Sequence, residues 1–298
     1  MGADEKKECE MAGSACSTCG EKESCDSVEK PGFLAQNELS NVKRVVAIAS
    51  GKGGVGKSSV TALLAKTFSR DGYRVGILDA DLTGPSIPKM FGLKGHPEGN
   101  EIAVVPPRTE YYGIRVMSMN LLLEKEDEPV IWRGPVISGA IKQFWTDVAW
   151  GELDYLFVDL PPGTGDVPLT VMQSLPLSGI VIVSAPQELA VMVVRKAIRM
   201  AGIMSVPILG IIENMAYVIC PKCGDKIHVF GEPRGKAVAE ETGLELVGTL
   251  PIDPKLAKLV DAGKIEDYDH SGLEHLPRLF DERLGKLKKV ESKSLYTS

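Results

Sequence analysis

Ser50-Gly51-Lys52-Gly53-Gly54-Val55-Gly56-Lys57-Ser58, entered from the apolar run Val45-Val46-Ala47-Ile48-Ala49, decides the fold of this chain. Residues 51–58 satisfy G-x-x-x-x-G-K-[ST] in full. The run before them reads as a buried strand, and Val60 to Phe68 after them as an amphipathic helix. A strand–loop–helix context turns the pattern into a phosphate site. Glycines let successive backbone N–H groups converge on phosphate oxygens, and the following helix points its positive end at the same place. Lys57 adds a point charge for the β- and γ-phosphates, and Ser58 offers a hydroxyl to Mg²⁺. Gly51, Lys52, Gly53, Gly54, Val55, Gly56, Lys57, Ser58 and Ser59 are therefore the expected nucleotide-binding residues.

Outward from this loop, short apolar runs alternate with helical patterns. Strands are expected at Arg44–Ser50, Arg74–Leu78, Tyr155–Val158, Gly179–Ser184, Ile208–Ile212 and Leu246–Leu250. Helices are expected at Ser58–Arg70, Ser138–Trp150, Leu189–Ala201, Gly235–Thr242 and Pro254–Ala262. Fully apolar strands alternating with amphipathic helices imply a parallel sheet covered on both faces, hence an α/β, doubly wound, mostly parallel architecture. Ile102–Val105 and Ile114–Met119 read as a small peripheral hairpin. Leu276, Leu279, Phe280, Leu284 and Leu287 share one side of a last helix around Leu273 to Lys289. Docking on its own domain fits that stripe; a membrane-surface role is the alternative, because Lys286, Lys288 and Lys289 follow.

At 298 residues, with 44% hydrophobic and 25% charged residues, the composition is that of a soluble globular protein with a large core. The net charge of −6 is uneven: residues 1–41 hold nine acids against four lysines, a net of −5, which leaves −1 for the rest. Neither part offers the basic face that nucleic-acid binding needs. The N-terminus carries acids and cysteines rather than a signal peptide. The longest uncharged stretch, Val167 to Gln187, is broken by Pro168, Pro176 and Pro186, so no membrane span is expected. Residues 1–41 have too few apolar side chains to bury a core and form one segment; residues 42–298 form the second, globular one. A cytoplasmic protein is expected.

An apolar strand ending in Asp159 delivers a carboxylate to the Mg²⁺ hydration shell, and the Pro/Gly-rich loop 160–166 after it can change shape with the γ-phosphate. Asp79-Ala80-Asp81 follows the second strand, where ligands bind in such sheets. Lys52 is a second lysine inside the loop. With it, the octapeptide GKGGVGKS resembles the deviant Walker A loop of the MinD/ParA/nitrogenase-iron-protein class of P-loop NTPases. That resemblance implies an ATP sandwich dimer in which Lys52 reaches the partner's nucleotide. It assigns Asp81 to the attacking water and Asp79 to the metal shell. It also assigns Asn214 to the adenine and Pro251-Ile252-Asp253 to the loop beside the base; a turn role for Asn214, Pro251 and Asp253 remains open.

Six cysteines fall in two clusters: Cys9, Cys16, Cys19 and Cys25, then Cys220 and Cys223. With a nucleotide site and no export signal, clustered thiols read as metal ligands. Two thiolates cannot complete a tetrahedral or cubane site, but a homodimer with Cys220-Pro221-Lys222-Cys223 on its two-fold axis would supply four. Four thiolates in the core-less N-terminal segment make sense if a metal site folds it. Spacing alone leaves iron–sulfur and zinc both open at each site.

Asp159-Leu160-Pro161-Pro162-Gly163-Thr164-Gly165-Asp166, Trp132-Arg133-Gly134-Pro135, Asn214-Met215 and the C-x-x-C after them together resemble the Mrp/ApbC/NBP family of iron–sulfur cluster carriers, over residues 42–265. Cys9-x6-Cys16-x2-Cys19-x5-Cys25 resembles the N-terminal motif of its eukaryote-type branch, although the first gap there is usually longer. The resemblance implies an ATPase that uses ATP and Mg²⁺, assembles one labile 4Fe–4S cluster between two copies of the chain through Cys220 and Cys223, and passes it to apo iron–sulfur proteins. A further N-terminal cluster per subunit is implied by the four upstream cysteines. The alternative is a MinD/ParA-like positioning ATPase with structural zinc sites, which gives labile thiols no task.

Overall fold

A computed structural model describes residues 33–81, 87–99, 103–122, 134–186 and 188–294. Cys9, Cys16, Cys19, Cys25, Ile102, Trp132 and Arg133 lie outside them. The chain divides after Gly32, and the described elements all lie in the unit that begins at Phe33.

In order, the elements are β1 (Ser40–Val42), β2 (Val45–Ser50), α1 (Lys57–Arg70), β3 (Val75–Asp79), α2 (Ile87–Met90), β4 (Glu98–Gly99), β5 (Val104–Val105), β6 (Arg115–Ser118) and α3 (Gly134–Thr146). They continue with β7 (Gly151–Leu153), β8 (Tyr155–Asp159), α4 (Asp166–Ser174), β9 (Leu177–Ser184), α5 (Glu188–Ile203) and β10 (Ile208–Glu213). The last are β11 (Val218–Ile219), β12 (Lys226–Ile227), α6 (Gly235–Thr242), β13 (Leu246–Thr249), α7 (Pro254–Asp261) and α8 (Leu276–Ser294).

Seven strands form one sheet in the order β13-β10-β9-β2-β8-β3-β6, and every pairing in it is parallel. Such a sheet must be covered on both faces, which is why all six residues of β2 and all five of β3 and β8 are buried. Alternation divides β2: Val46 and Ile48 join the layer of α1 and α8, whereas Val45, Ala47 and Ala49 join the layer of α3 and α4. From β2 the chain moves to one side to build β3 and β6, then returns through β8 to the other side for β9, β10 and β13. The connections after β2 and β8, neighbours in the sheet, thus run to opposite faces and open a crevice between their carboxyl ends.

Three expectations are corrected. Arg115–Ser118 is the edge of the main sheet, parallel to β3, not a peripheral hairpin; Val116 and Met117 are wholly buried on opposite faces. The partner of Val104–Val105 is instead Glu98–Gly99. Residues 33–41 do not belong with an isolated N-terminal segment. The Leu34 amide donates to Ser174 O (2.9 Å) and the Trp145 indole to Leu34 O (2.8 Å), while β1 pairs with β7. Finally, α4 was not anticipated, because Pro168 disguises it. Proline is tolerated there since the first turn of a helix has no use for its missing N–H.

The terminal helix docks on the domain. Leu276 and Phe280 are wholly buried, and the Phe280 ring lies 5.4 Å from Phe68 of α1. Asp281 accepts the hydroxyls of Tyr73 (2.7 Å) and Tyr155 (2.6 Å) and pairs with Arg44. No described helix is long and apolar enough to cross a membrane.

Candidate nucleotide and thiolate sites

The loop between β2 and α1 bounds a cavity of about 210 Å³ lined by residues 52–59 with Ser50, Asp81, Met90 and Pro162. Gly54 and Gly56 hold positive φ (79° and 75°), a region costly for residues with a Cβ. At Gly56 space is also denied: an added Cβ would overlap Asn214 Nδ2, whereas nothing lies within 4 Å of one at Gly54. Gly54→Ala therefore costs only the backbone term, about 1–2 kcal/mol. Gly56→Ala is expected to cost more and to displace Asn214. Denaturant midpoints of the two variants, side by side, measure the difference, and equal midpoints would contradict this packing.

Lys57 and Asp159 anchor the floor. The Lys57 ammonium, 5% exposed, lies 2.8 Å from Asp159 Oδ2 and 3.4 Å from Asp81 Oδ2. Ser58 Oγ donates to the same Asp159 oxygen at 2.5 Å, and Thr61 Oγ1 donates to Asp159 Oδ1 at 2.7 Å. Asp79 stands directly beside Asp159 in the register of β3 and β8, fully buried. Burial and the neighbouring Asp159 raise its pKa well above the usual carboxylate range; Lys57, the Ser118 hydroxyl (3.0 Å) and the Asp81 amide (3.1 Å) oppose that rise. The structure thus brings the expected set together: Lys57, Ser58 and Asp81 line the cavity, and Asp79 and Asp159 are buried beside them. A hydroxyl and a carboxylate oxygen side by side, Ser58 and Asp159, form a hard-oxygen pair that fits Mg²⁺.

Thr61 and Ser118 went unrecognised in the sequence. Their only sign was a polar side chain on an otherwise apolar buried face, one turn after Lys57 and at the end of β6.

Beyond β10, one short stretch holds three connections. Asn214 Nδ2 donates to Val55 O of the phosphate loop (2.9 Å), and its amide donates to Ser184 O at the end of β9. Met215 holds a positive φ of 58°. Ala216 N donates to Leu250 O and Ile252 N to Tyr217 O, which lays the 250–253 loop along this stretch. Asp253 caps α7 through Lys255 N (2.8 Å) and accepts the Tyr268 hydroxyl (2.9 Å); Pro251 lies just before it in the same loop. Glu213, also missed, is buried and accepts the amides of Arg234 and Gly235 (2.9 and 2.8 Å), orienting α6.

From the same stretch springs the hairpin β11–β12, which presents Cys220 and Cys223. Gly224 N donates to Cys220 O (2.9 Å) and Cys220 N to Asp225 O (2.8 Å), closing a tight knuckle. Hydrogen bonds from the backbone of Cys223 and Lys222, and from the Cys223 side chain, lower the Cys220 pKa and favour its thiolate. His228, five residues after Cys223, gives its Nδ1 to Ala216 O (3.2 Å) at the base of the hairpin. Cys223 is exposed, as are Ile219, Ile227, Val229 and Phe230 around it. Among the described residues no three His, Cys, Asp or Glu side chains gather into a metal site.

A parallel sheet, a two-lysine phosphate loop and a buried aspartate bound to the loop serine define a P-loop nucleoside triphosphatase. The sequence matches the NUBPL iron-transfer P-loop NTPase family of ParA-type proteins over residues 41–281, and the chain belongs to that family. It is 45% identical to the iron–sulfur cluster carrier protein of Clostridium perfringens, over 85% of this chain and 94% of that protein. The iron–sulfur cluster carrier protein of Methanocaldococcus jannaschii is 46% identical, over 83% of this chain and 87% of that one. Among solved structures, a nucleotide-binding protein from Archaeoglobus fulgidus in complex with ADP superposes with a TM-score of 0.70 at 49% identity, covering 77% of this chain and 90% of that chain. MinD from Aquifex aeolicus shares the fold alone, with a TM-score of 0.54 at 19% identity over 82% of this chain and 97% of that one.

Proposed function

We propose that this chain is an ATP-driven iron–sulfur cluster carrier, which assembles a labile 4Fe–4S cluster between two copies of itself and hands it to apo iron–sulfur proteins in the cytoplasm. The observation that carries the reading is the placement of the Cys220–Cys223 knuckle on the stretch whose Asn214 holds the phosphate loop. Two thiolates per chain, one electrostatically prepared, need two more from a second copy to complete a cubane. Half-exposed ligation suits cargo that must leave. The test is iron, acid-labile sulfide and zinc per dimer of the full-length chain after anaerobic reconstitution. About four irons and four sulfides per cluster, without zinc, support a carrier; about twelve irons per dimer fit an additional N-terminal cluster on Cys9, Cys16, Cys19 and Cys25 in each chain. Stoichiometric zinc with little sulfide would reject it.

Nucleotide chemistry follows from the floor of the crevice. Backbone amides of residues 53–58 cradle the phosphates, Lys57 leaves its carboxylate partners for the β- and γ-oxygens, and Ser58 and Asp159 would hold Mg²⁺. Bound Mg²⁺ would neutralise phosphate charge. Asp81, 3.4 Å from Lys57, orients the attacking water, and Asp79, which accepts the Asp81 amide and lies beside Asp159, would stand in the metal shell. Adenine is expected against Asn214 and the Pro251–Asp253 loop. Lys52 from the partner neutralises the charge that builds up on the transferring phosphoryl. Lys52→Ala should lower steady-state ATPase by about 10²–10³-fold while nucleotide affinity stays within a few-fold. Turnover at the wild-type rate would reject the sandwich.

Coupling follows from the same stretch. A shift of Val55 as phosphates bind is passed to Asn214, and from there along 215–217 to the hairpin. Asn214→Ala should leave cluster content intact but abolish the ATP-dependence of cluster transfer to an apo-ferredoxin, read by the acceptor's absorbance. Transfer that still responds to ATP would show that coupling runs elsewhere.

A further inference from the structure

At the other end of the sheet, where its strands begin, a cavity of about 180 Å³ is lined by Tyr73, Arg74, Arg108, Tyr112, Arg115 and Glu152 among others. Three arginines converge on it in a chain whose net charge is −6. Arg74 is answered, by Asp154 at 3.1 Å and Glu152 at 3.8 Å. Arg108 and Arg115 are direct partners across an antiparallel β-bridge, and among the described residues neither forms an ion pair with a carboxylate. Like charges directly opposite in such a pair are destabilising.

The Arg115 guanidinium is also fixed in place. It donates to Trp150 O and lies flat on Gly151, where an added Cβ would stand 2.6 Å from Nη1, 2.9 Å from Nη2 and 3.0 Å from Cζ. Burial, with Arg108 and Arg74 nearby, disfavours its charged form. A guanidinium does not give up its proton in proteins, so a bound counter-anion would relieve this crowding. Planar forks in a small cavity suit a tetrahedral oxyanion, which each guanidinium can meet with two parallel N–H···O bonds. From Val75, which lines this cavity, β3 runs four residues to Asp79, roughly 13 Å, too far to share the phosphates of one nucleotide on the loop.

We propose that Arg74, Arg108 and Arg115 form a second anion site that binds a phosphoryl group, either inorganic or the terminal group of a small phosphorylated ligand. The test titrates inorganic phosphate and pyrophosphate calorimetrically into the full-length chain saturated with Mg-ADP, so that the phosphate loop is already filled. One saturable event per chain is expected, absent with sodium chloride at matched ionic strength. Arg108→Gln and Arg115→Gln should each weaken it at least tenfold, and Arg74→Gln less, since Asp154 and Glu152 already hold that side chain. Should Arg115→Gln unfold through loss of its Trp150 bond, the exposed Arg108 decides the matter alone, and its variant should retain wild-type ATPase. Pyrophosphate binding much tighter than phosphate assigns the site to a phosphorylated organic ligand; equal affinities assign it to inorganic phosphate. No saturable binding to the ADP-loaded chain, or unchanged affinity in Arg108→Gln, overturns the proposal.

Discussion

Lys57→Ala is expected to reduce ATP turnover by about 10³-fold, to weaken Mg-ATP binding, and to destabilise the fold. The first two losses arise because this ammonium lies on the floor of the phosphate crevice. The third arises because it is the counter-charge of Asp159, which is wholly buried, and lies beside Asp81. Removing one partner of a buried pair costs on the order of 3–5 kcal/mol, since the other charge is left without compensation. The same change has a pH signature. Lys57 holds the pKa of Asp79 down against burial and Asp159, so its loss raises that pKa further. A carboxyl with a raised folded pKa binds its proton in the folded chain after the unfolded chain has released it. Its stabilisation is therefore complete below the unfolded pKa and is lost as pH rises through the folded one. Chemical denaturation across pH should show the loss of stability in Lys57→Ala continuing to a higher pH than in wild type. Unaltered Mg-ATP affinity, or parallel pH profiles, would contradict this assignment.

Cys223→Ala should remove the bridging cluster altogether while leaving nucleotide affinity unchanged. On the proposed two-fold axis the substitution would delete two sulfurs per dimer, leaving Cys220 and its symmetry mate. Iron attributable to the bridge should fall to zero, and iron held by the N-terminal cysteines should persist. The fold should survive, because Cys223 is exposed and its side chain contacts Asp225 within the knuckle (3.2 Å). Iron per dimer, sulfide per dimer and ADP affinity measured on one preparation separate the possibilities. Iron content equal to wild type would remove Cys223 from the site.

Much of the fold was legible because a parallel sheet writes itself as apolar runs. β2, β3, β8, β9, β10 and β13 all fall on such runs, and α1, α5, α6 and α7 on amphipathic ones, within a residue or two at either end. Failures had local causes. Pro168 hid α4, and Gly134-Pro135 starts α3 four residues before the expected Ser138. A short β6 looked peripheral because four residues carry too little pattern to show burial on both faces.

What the sequence determined by itself is the chemistry carried on contiguous residues. The phosphate loop, the aspartates closing β3 and β8, and the C-x-x-C knuckle each occupy a run in which spacing alone dictates geometry. Only the tertiary structure decided which of these meet. Thr61 reaches Asp159 across 98 positions of sequence, and Asn214 reaches Val55 across 159. Neither a threonine on a buried helix face nor an asparagine after a strand announces its partner. Partner choice is set by strand order, which brings β8 and then β9 to either side of β2 and leaves β10 next beyond β9. That order depends on how whole layers bury their apolar faces together, a sum over the entire core that no local window of residues contains.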